Sequence, residues 1–450
     1  MKTPIVRTIL IILTIVSVVF YYNAPDEYSY TYCYGYFLIF CVEAFFNIRY
    51  RCRKTYVNFE FFFTFAFVFV NYVYPIVFYQ IDPYFSLFAL SFPENYINCG
   101  TAMATIAYSC LSLGFFSYNT KEGIPSYSGN HGFGNSPNLK SFTNFLLAVM
   151  DISLIGVVMA GGNMKNWGLS AEIRGIVDVL VFYTIFQRFY IYRNNPFVDV
   201  LKCNRVFFLL IFGYILLATL SGNRSIMIRI GSLVLFMYAT LFYQIKKKYL
   251  IVLMLGALSF LFVIGAIRDN NSVATAVDSS TSVLSVGRDL TINNRSLYVL
   301  MEYADVHGLS YGKNFLSHLL SPIPYAQSTL LRVTGWNLSE ISSGNLVTDD
   351  FFKNNATNQD SFGLGTNLVG DVYLAYGLLG VIVLFYVLGR VVSYYYYKSY
   401  KDSPTYLLAY SILFITAIIW TREAYFKPLQ LILWSLAIYY FFDKRTKRAS

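Results

Sequence analysis

The chain has 450 residues, of which 56% are hydrophobic and 13% are charged, with a formal net charge of +10. A soluble domain carries about twice that share of charge, so a large soluble core is excluded and an integral membrane protein is indicated. The basic residues stand in short groups at the ends of apolar runs rather than among exposed aromatics on one surface, which excludes a nucleic-acid-binding domain.

From the N-terminus, apolar runs of the length that crosses a ~30 Å hydrocarbon core are centred on 5–22, 31–48, 59–80, 96–117, 141–161, 174–192, 205–222, 225–244 and 249–267. Three more follow at 367–389, 404–420 and 428–442. The first has a basic start but no convincing small-x-small cleavage site, and is read as a retained helix. The expectation is an all-α polytopic membrane protein of about 12 transmembrane helices. Its three parts are a bundle of spans 1–9 (1–267), a large and partly helical loop (268–366), and spans 10–12 with a basic tail (367–450). Basic groups mark every second connection: Arg49, Arg51, Arg53 and Lys54 after span two, Lys246 to Lys248 after span eight, and Lys444, Arg445, Lys447 and Arg448 at the end. By the bias of lysine and arginine toward the cytoplasmic side, both termini are cytoplasmic and the long loop faces outward. The 41 tyrosines and 41 phenylalanines belong mostly to the interfacial belt, as in Tyr394 to Tyr397 beside Lys398. Some of the outward rings are suited to stacking on sugars, but the sequence does not say which.

A loop of a hundred polar residues between membrane spans is where chemistry is expected. Within it Leu297, Leu300, Met301 and Ala304 fall on one helical face, and Phe315, Leu316, Leu319 and Leu320 form a second stripe. Both are expected to lie on the outer leaflet or to cap the bundle. From Ser339 to Asp360 the chain is Asn-rich and reads as irregular. The six cysteines, Cys33, Cys41, Cys52, Cys99, Cys110 and Cys203, show no paired spacing, so neither disulfides nor a thiolate metal site is expected. No Walker loop, GxGxxG with a following acid, HExxH or GxSxG is present.

Ionisable residues at or near membrane depth are functional candidates. Arg224 stands in the tight turn Ser221-Gly222-Asn223-Arg224-Ser225, where its planar fork suits phosphate oxygens. Arg268, beside Asp269, closes span nine, and Arg422, beside Glu423, precedes the last span. Together these three suggest a basic mouth on one side of the membrane. Arg288 and Arg295 add positive charge in the loop. His307 and His318 are the outward histidines and candidates for a general base. Asp371, just inside span ten, calls for an arginine partner or a catalytic duty.

The stretch Gly363-Leu-Gly-Thr-Asn-Leu-Val-Gly-Asp-Val-Tyr-Leu-Ala-Tyr-Gly-Leu-Leu-Gly380 resembles the segment by which O-antigen polymerases of the Wzy type enter a late span after a large periplasmic loop. Ser221 to Ser225 resembles that family's small-polar-Arg-Ser turn, and Asn71-Tyr-Val-Tyr-Pro75 and the Arg422 turn are similar as well. Where such proteins often carry Glu before the span-ten Tyr, this chain has Asp371. The resemblance implies a multi-pass protein of the bacterial inner membrane. It would polymerise undecaprenyl-diphosphate-linked repeat units at the periplasmic face, passing the growing glycan to the incoming lipid-linked unit. Donor and acceptor are then lipid-linked oligosaccharides, with room for a chain-length regulator. No nucleic acid, metal or cofactor is implied. Arg224, Arg268 and Arg422 are the expected diphosphate binders, supported by Arg288 and Arg295, with Asp371, His307 or His318 as base. A lipid-linked oligosaccharide flippase or transporter, and an O-antigen ligase, are the alternatives.

Overall fold

The computed structural model describes residues 3–52, 55–81, 92–117, 137–159, 171–221, 224–243, 293–354, 365–401 and 404–443, with single positions between 245 and 291. Among these residues the structure is helical throughout, without strands. The helices are α1 (Thr3–Tyr21), α2 (Tyr30–Arg51), α3 (Phe59–Asn71), α4 (Asn95–Ser117), α5 (Pro137–Met159), α6 (Ala171–Ile191), α7 (Phe197–Cys203) and α8 (Arg205–Leu220). There follow α9 (Arg224–Leu241), α10 (Asn293–His307), α11 (Leu316–Leu320), α12 (Ala326–Thr334), α13 (Ser343–Asn354), α14 (Leu368–Lys401), α15 (Pro404–Trp420) and α16 (Pro428–Ile438). Helices α1–α6, α8, α9 and α14–α16 fall on expected apolar runs, and most of the ninth run, 249–267, lies outside the described residues. By length and hydropathy six described helices can cross a membrane, or seven if α7 and α8, bent by 86°, form one broken span. Three shorter apolar helices, Ser225–Leu241, Pro404–Trp420 and Pro428–Phe442, stand beside them. The chain is a multi-pass membrane protein.

Packing divides the chain into two units. The first comprises Met1–Thr120, Lys246–Tyr394 and Ala417–Lys427, and the second Lys121–Ile245, Tyr395–Thr416 and Pro428–Ser450. In the second, α5, α6, α8 and α9 pack together around buried Tyr183, Tyr190 and Tyr214. The Tyr214 hydroxyl donates to Asp178 Oδ1 at 2.8 Å, so this half-buried carboxylate is hydrogen-bonded within the bundle.

In the first unit α4 is the central helix, buried along most of its length against α1, α2 and α10. Its buried hydroxyls are satisfied locally or across helices: Thr101 and Thr105 donate to their own i−4 carbonyls, and Asn47 of α2 reaches Tyr108 and Ser112 at 2.9 and 2.7 Å. Such pairings replace water, which the bilayer does not supply. At one end of the unit Arg51 Nη2 lies 2.8 Å from Glu60 Oε1 and 2.9 Å from the Ser393 hydroxyl, which itself donates to Phe115 O.

The opposite end carries the loop helices, and here the structure departs from the sequence reading. Helix α10 is packed in rather than laid on a leaflet over most of its length: Leu297, Leu300, Met301 and Ala304 are buried, and so are Asn293, Asn294 and Arg295 on its polar side. It fits between α4 and α14 because both present glycine to it. A Cβ at Gly100 would stand 2.5 Å from the Tyr298 ring, and one at Gly370 would stand 3.1 Å from Leu297 Cα. The second stripe divides, with Phe315 buried and Leu319 exposed. Ser343–Asn354, read as irregular from its asparagines, is helical.

Span ten is broken rather than continuous. Tyr376 (φ −142°, ψ 16°) and Gly377 (φ 61°, ψ −154°) interrupt α14, separating a stub, 368–375, from the long remainder. The positive φ at Gly377 is open to a residue without a side chain. A break frees carbonyls that an intact helix would pair. The loop supplies the missing donors: Ser310 N–H to Leu374 O at 2.9 Å, and Asn314 Nδ2 to Asp371 O at 2.8 Å.

Candidate functional site

At the loop-bearing end of the first unit, five stretches distant in sequence meet in one hydrogen-bonded knot. Asn71 closes α3; its backbone oxygen accepts from Asn294 Nδ2 at 2.9 Å and its side-chain oxygen from Asn367 Nδ2 at 3.0 Å. Asn367 is the residue before α14, and its Oδ1 takes the N–H groups of Val369 and Gly370 at 2.9 and 3.3 Å. It thereby caps the helix start, as an asparagine at that position does. Asn293, at the start of α10, donates to Thr366 O at 3.1 Å. It also accepts the guanidinium N–H of Arg422 through Oδ1 at 2.5 Å. The backbone of the Arg422 turn pairs with the same segment, through Thr366 N to Arg422 O at 3.4 Å and Leu368 N to Thr421 O at 3.2 Å. The Thr366 hydroxyl donates to Ser343 of α13 at 3.0 Å.

Asp371 completes the knot. It is fully buried, and its partners are not an arginine: Asn314 Nδ2 donates to Oδ1 at 2.7 Å and the Tyr425 N–H donates to Oδ2 at 2.8 Å. The carboxylate therefore ties the loop (Asn314), the α14 stub and the turn after α15 into one piece. That turn is braced again by Trp420 Nε1 donating to Tyr425 O at 3.1 Å. The outcome is an Arg422 held from two sides, its Nε anchored while the rest of the planar fork stays half-buried at the end of the unit.

Two further cations belong to this end. Arg295 is buried, with its guanidinium 5.3 Å from the Phe92 ring centre and 5.9 Å from that of Tyr74. Burial pushes its pKa below the usual arginine value, with Tyr74 and Tyr298 opposing that shift. Lys427 lies 3.8 Å from Glu423 in the turn itself. His318, on α11, stands beside these two: burial pushes its pKa down to about 4, Lys427 adds to the shift and Glu423 opposes it. Its imidazole is therefore uncharged at neutral pH. His307, at the exposed end of α10, stacks on Tyr303 with ring centres 4.2 Å apart.

Of the residues expected from sequence, the structure thus brings Arg422 and Asp371 into one network, with His318 beside the same turn. Arg224 begins α9 in the other unit, and its side chain lies outside the described residues, as do Arg268 and Arg288 entirely. The asparagines Asn293 and Asn314 were not anticipated, and Asn71 and Asn367 were noted only within longer stretches that carry the family resemblance. A signal existed for one of them, since Asn367 directly precedes an apolar run and reads as a helix N-cap. Lys427 was also missed.

A multi-pass helical membrane protein, with an arginine fixed at the end of the bundle where a partly buried loop folds back on a broken span, is the class these features define. The stretches that meet there include Asn71 and Tyr74, the segment leading into α14, and the Arg422 turn. The chain belongs to the O-antigen polysaccharide polymerase Wzy family, whose profile matches residues 5–442. Neither a curated relative nor a solved structure matches it.

Proposed function

We propose that the protein joins oligosaccharide repeat units carried on undecaprenyl diphosphate, at the periplasmic face of the bacterial inner membrane. The observation that carries this reading is the fixing of Arg422 by Asn293 and by the Asp371-anchored turn. A cation held in place before substrate arrives can stabilise charge as it develops on a departing diphosphate without reorganising. In the proposed step a hydroxyl oxygen at the non-reducing end of the acceptor attacks the anomeric carbon of the donor glycan. The bond from that carbon to the diphosphate oxygen breaks, the electron pair leaves with undecaprenyl diphosphate, and the hydroxyl proton passes to a base. Arg422 is the diphosphate binder best supported by geometry, with Arg224, Arg268, Arg288 and Arg295 completing the cationic set.

His318 and His307 are the base candidates. His318 is the nearer to the turn but weakly basic, and His307 is the more exposed. Asp371, with both oxygens engaged, is assigned a positioning role. Reconstituted into membranes with purified lipid-linked repeats and no added nucleotide, the protein is expected to form polymer. Arg422→Lys keeps the charge but loses the fork and its Nε bond, and polymer yield should fall by at least about ten-fold, the equivalent of one charge-assisted hydrogen bond. Movement of the repeats between leaflets without joining would replace this reading with a transporter.

A further inference from the structure

The α14 stub has two working faces. Residues two apart on a helix point about 200° from one another, so Tyr373 faces away from Asp371 and the Arg422 turn. There its hydroxyl donates to Asp305 Oδ1 at 3.2 Å, while the Tyr96 hydroxyl donates to Asp305 Oδ2 at 3.1 Å. Tyr21, at the end of α1, stands beside Tyr373, and its ring meets that of Tyr22 at 5.4 Å, edge to face. Four helices, α1, α4, α10 and α14, thus contribute to one cluster. Asp305 is exposed and Tyr22 is 73% exposed, so the cluster opens to its surroundings.

Nothing in the knot around Arg422 uses this cluster. Among the described residues no cation pairs with Asp305; its hydrogen-bond partners are the two phenols. A carboxylate offers about four acceptor sites, so roughly two remain for a ligand, and each phenol oxygen can accept one more bond. The position thus demands donors. The exposed Tyr22 ring, packed on Tyr21, adds an apolar face at the end of α1. Glu302, near Tyr96, makes the surroundings negative and selects against an anion. A ligand with several hydroxyl donors, one apolar face and no negative charge is a pyranose.

We infer that Asp305, Tyr96, Tyr373 and Tyr22 form a carbohydrate subsite for uncharged or amino sugars, across the α14 stub from the Arg422 turn. Resting on the polymerase reading, this subsite holds a sugar ring of a repeat unit while the cationic face of the stub holds the diphosphate. Sugars bearing carboxylates or phosphates are excluded from it.

The test uses the full chain in nanodiscs and, as probe, the lipid-free oligosaccharide released by mild acid from the host's own surface polysaccharide. Binding is followed by saturation-transfer NMR and titration calorimetry. Wild-type protein should bind saturably. Asp305→Asn and Tyr96→Phe, which keep side-chain size, should weaken binding by about ten-fold or more, the scale of one charge-assisted hydrogen bond, with the melting temperature kept. Wild-type affinity in both variants would overturn the subsite, as would variants that melt early yet bind normally, which would make Asp305 a brace. Absence of binding by a wild-type protein that still joins lipid-linked repeats would overturn it too and leave the polymerase reading intact. Failure of the wild-type protein to join repeats would instead remove the polymerase reading.

Discussion

Asp371 offers the sharpest separation between a chemical and a positioning role. Replacing it with alanine leaves one of the two Asn314 Nδ2 hydrogens and the Tyr425 N–H without an acceptor in a fully buried place, while the other Nδ2 hydrogen keeps the Asp371 backbone oxygen. An orphaned buried donor costs ~1–3 kcal/mol, so the pair amounts to ~2–6 kcal/mol. Asparagine keeps one acceptor oxygen and turns an NH2 toward the remaining donor, costing ~1–3 kcal/mol by the same reasoning. In a chain of this size a loss near 3 kcal/mol lowers the melting temperature by on the order of 5 °C. The assay is a thermal melt of the detergent-solubilised protein, followed by size-exclusion fluorescence, beside polymer length on a gel. Asp371→Asn should be less stable and partly active, and Asp371→Ala less stable again and inactive. An Asp371→Asn protein with the wild-type melting temperature and no polymer would refute the positioning role and return Asp371 to the list of bases.

Three other outcomes follow from the packing and charge described above. Gly370→Val would force a side chain onto Leu297 Cα and Leu300, 3.1 and 3.0 Å from the new Cβ. Overpacking of that kind costs ~1–3 kcal/mol, and a cysteine-accessibility assay at Leu297 should show α10 loosened from the bundle. Glu60→Gln leaves Arg51 facing an uncharged group in a buried pair, a loss of up to ~3–5 kcal/mol, which should appear as reduced membrane yield with no selective effect on polymer length. For His318, the folded pKa of about 4 lies below the unfolded value near 6.5. The unfolded state therefore binds the proton first, and stability present above pH 6.5 is lost as pH falls from there toward 4, by at most ~3 kcal/mol and less after solvent screening. Melts of wild type and His318→Gln between pH 7 and pH 4.5 should converge on acidification; parallel curves would show that His318 does not titrate in this way.

Much of the bundle was legible because an apolar run of fixed length has few alternatives to a spanning helix. The loop was harder, for reasons that particular residues make plain. The stripe of Leu297, Leu300, Met301 and Ala304 correctly marks a helix, but its opposite side, Asn293 to Arg295, reads as solvent-facing. Only the partners Asn71, Thr366 and Arg422, remote in sequence, show that this side is buried too. The break in α14 is invisible to hydropathy because Tyr376 and Gly377 are ordinary membrane residues, and what matters is one positive φ. Asp371 was rightly singled out as a carboxylate in a costly place. The sequence offered it an arginine or a reaction, whereas an amide and a backbone N–H met its needs. Among the candidate arginines, a short turn marked Arg422 as confined, but nothing local to it announced Asn293.

The break in α14 also bears on how the protein tolerates insertion. Ser310 and Asn314 supply donors that an uninterrupted helix would find within itself, so the tip of the loop is effectively a spliced-in piece of that span. An epitope placed between residues 308 and 314 would leave bare carbonyls inside the bundle. One placed after Gly335, at the exposed end of α12, would displace no packed neighbour at that position. Two sites about twenty-five residues apart in the same loop thus belong to different environments, and only the second is a harmless place for a topology tag.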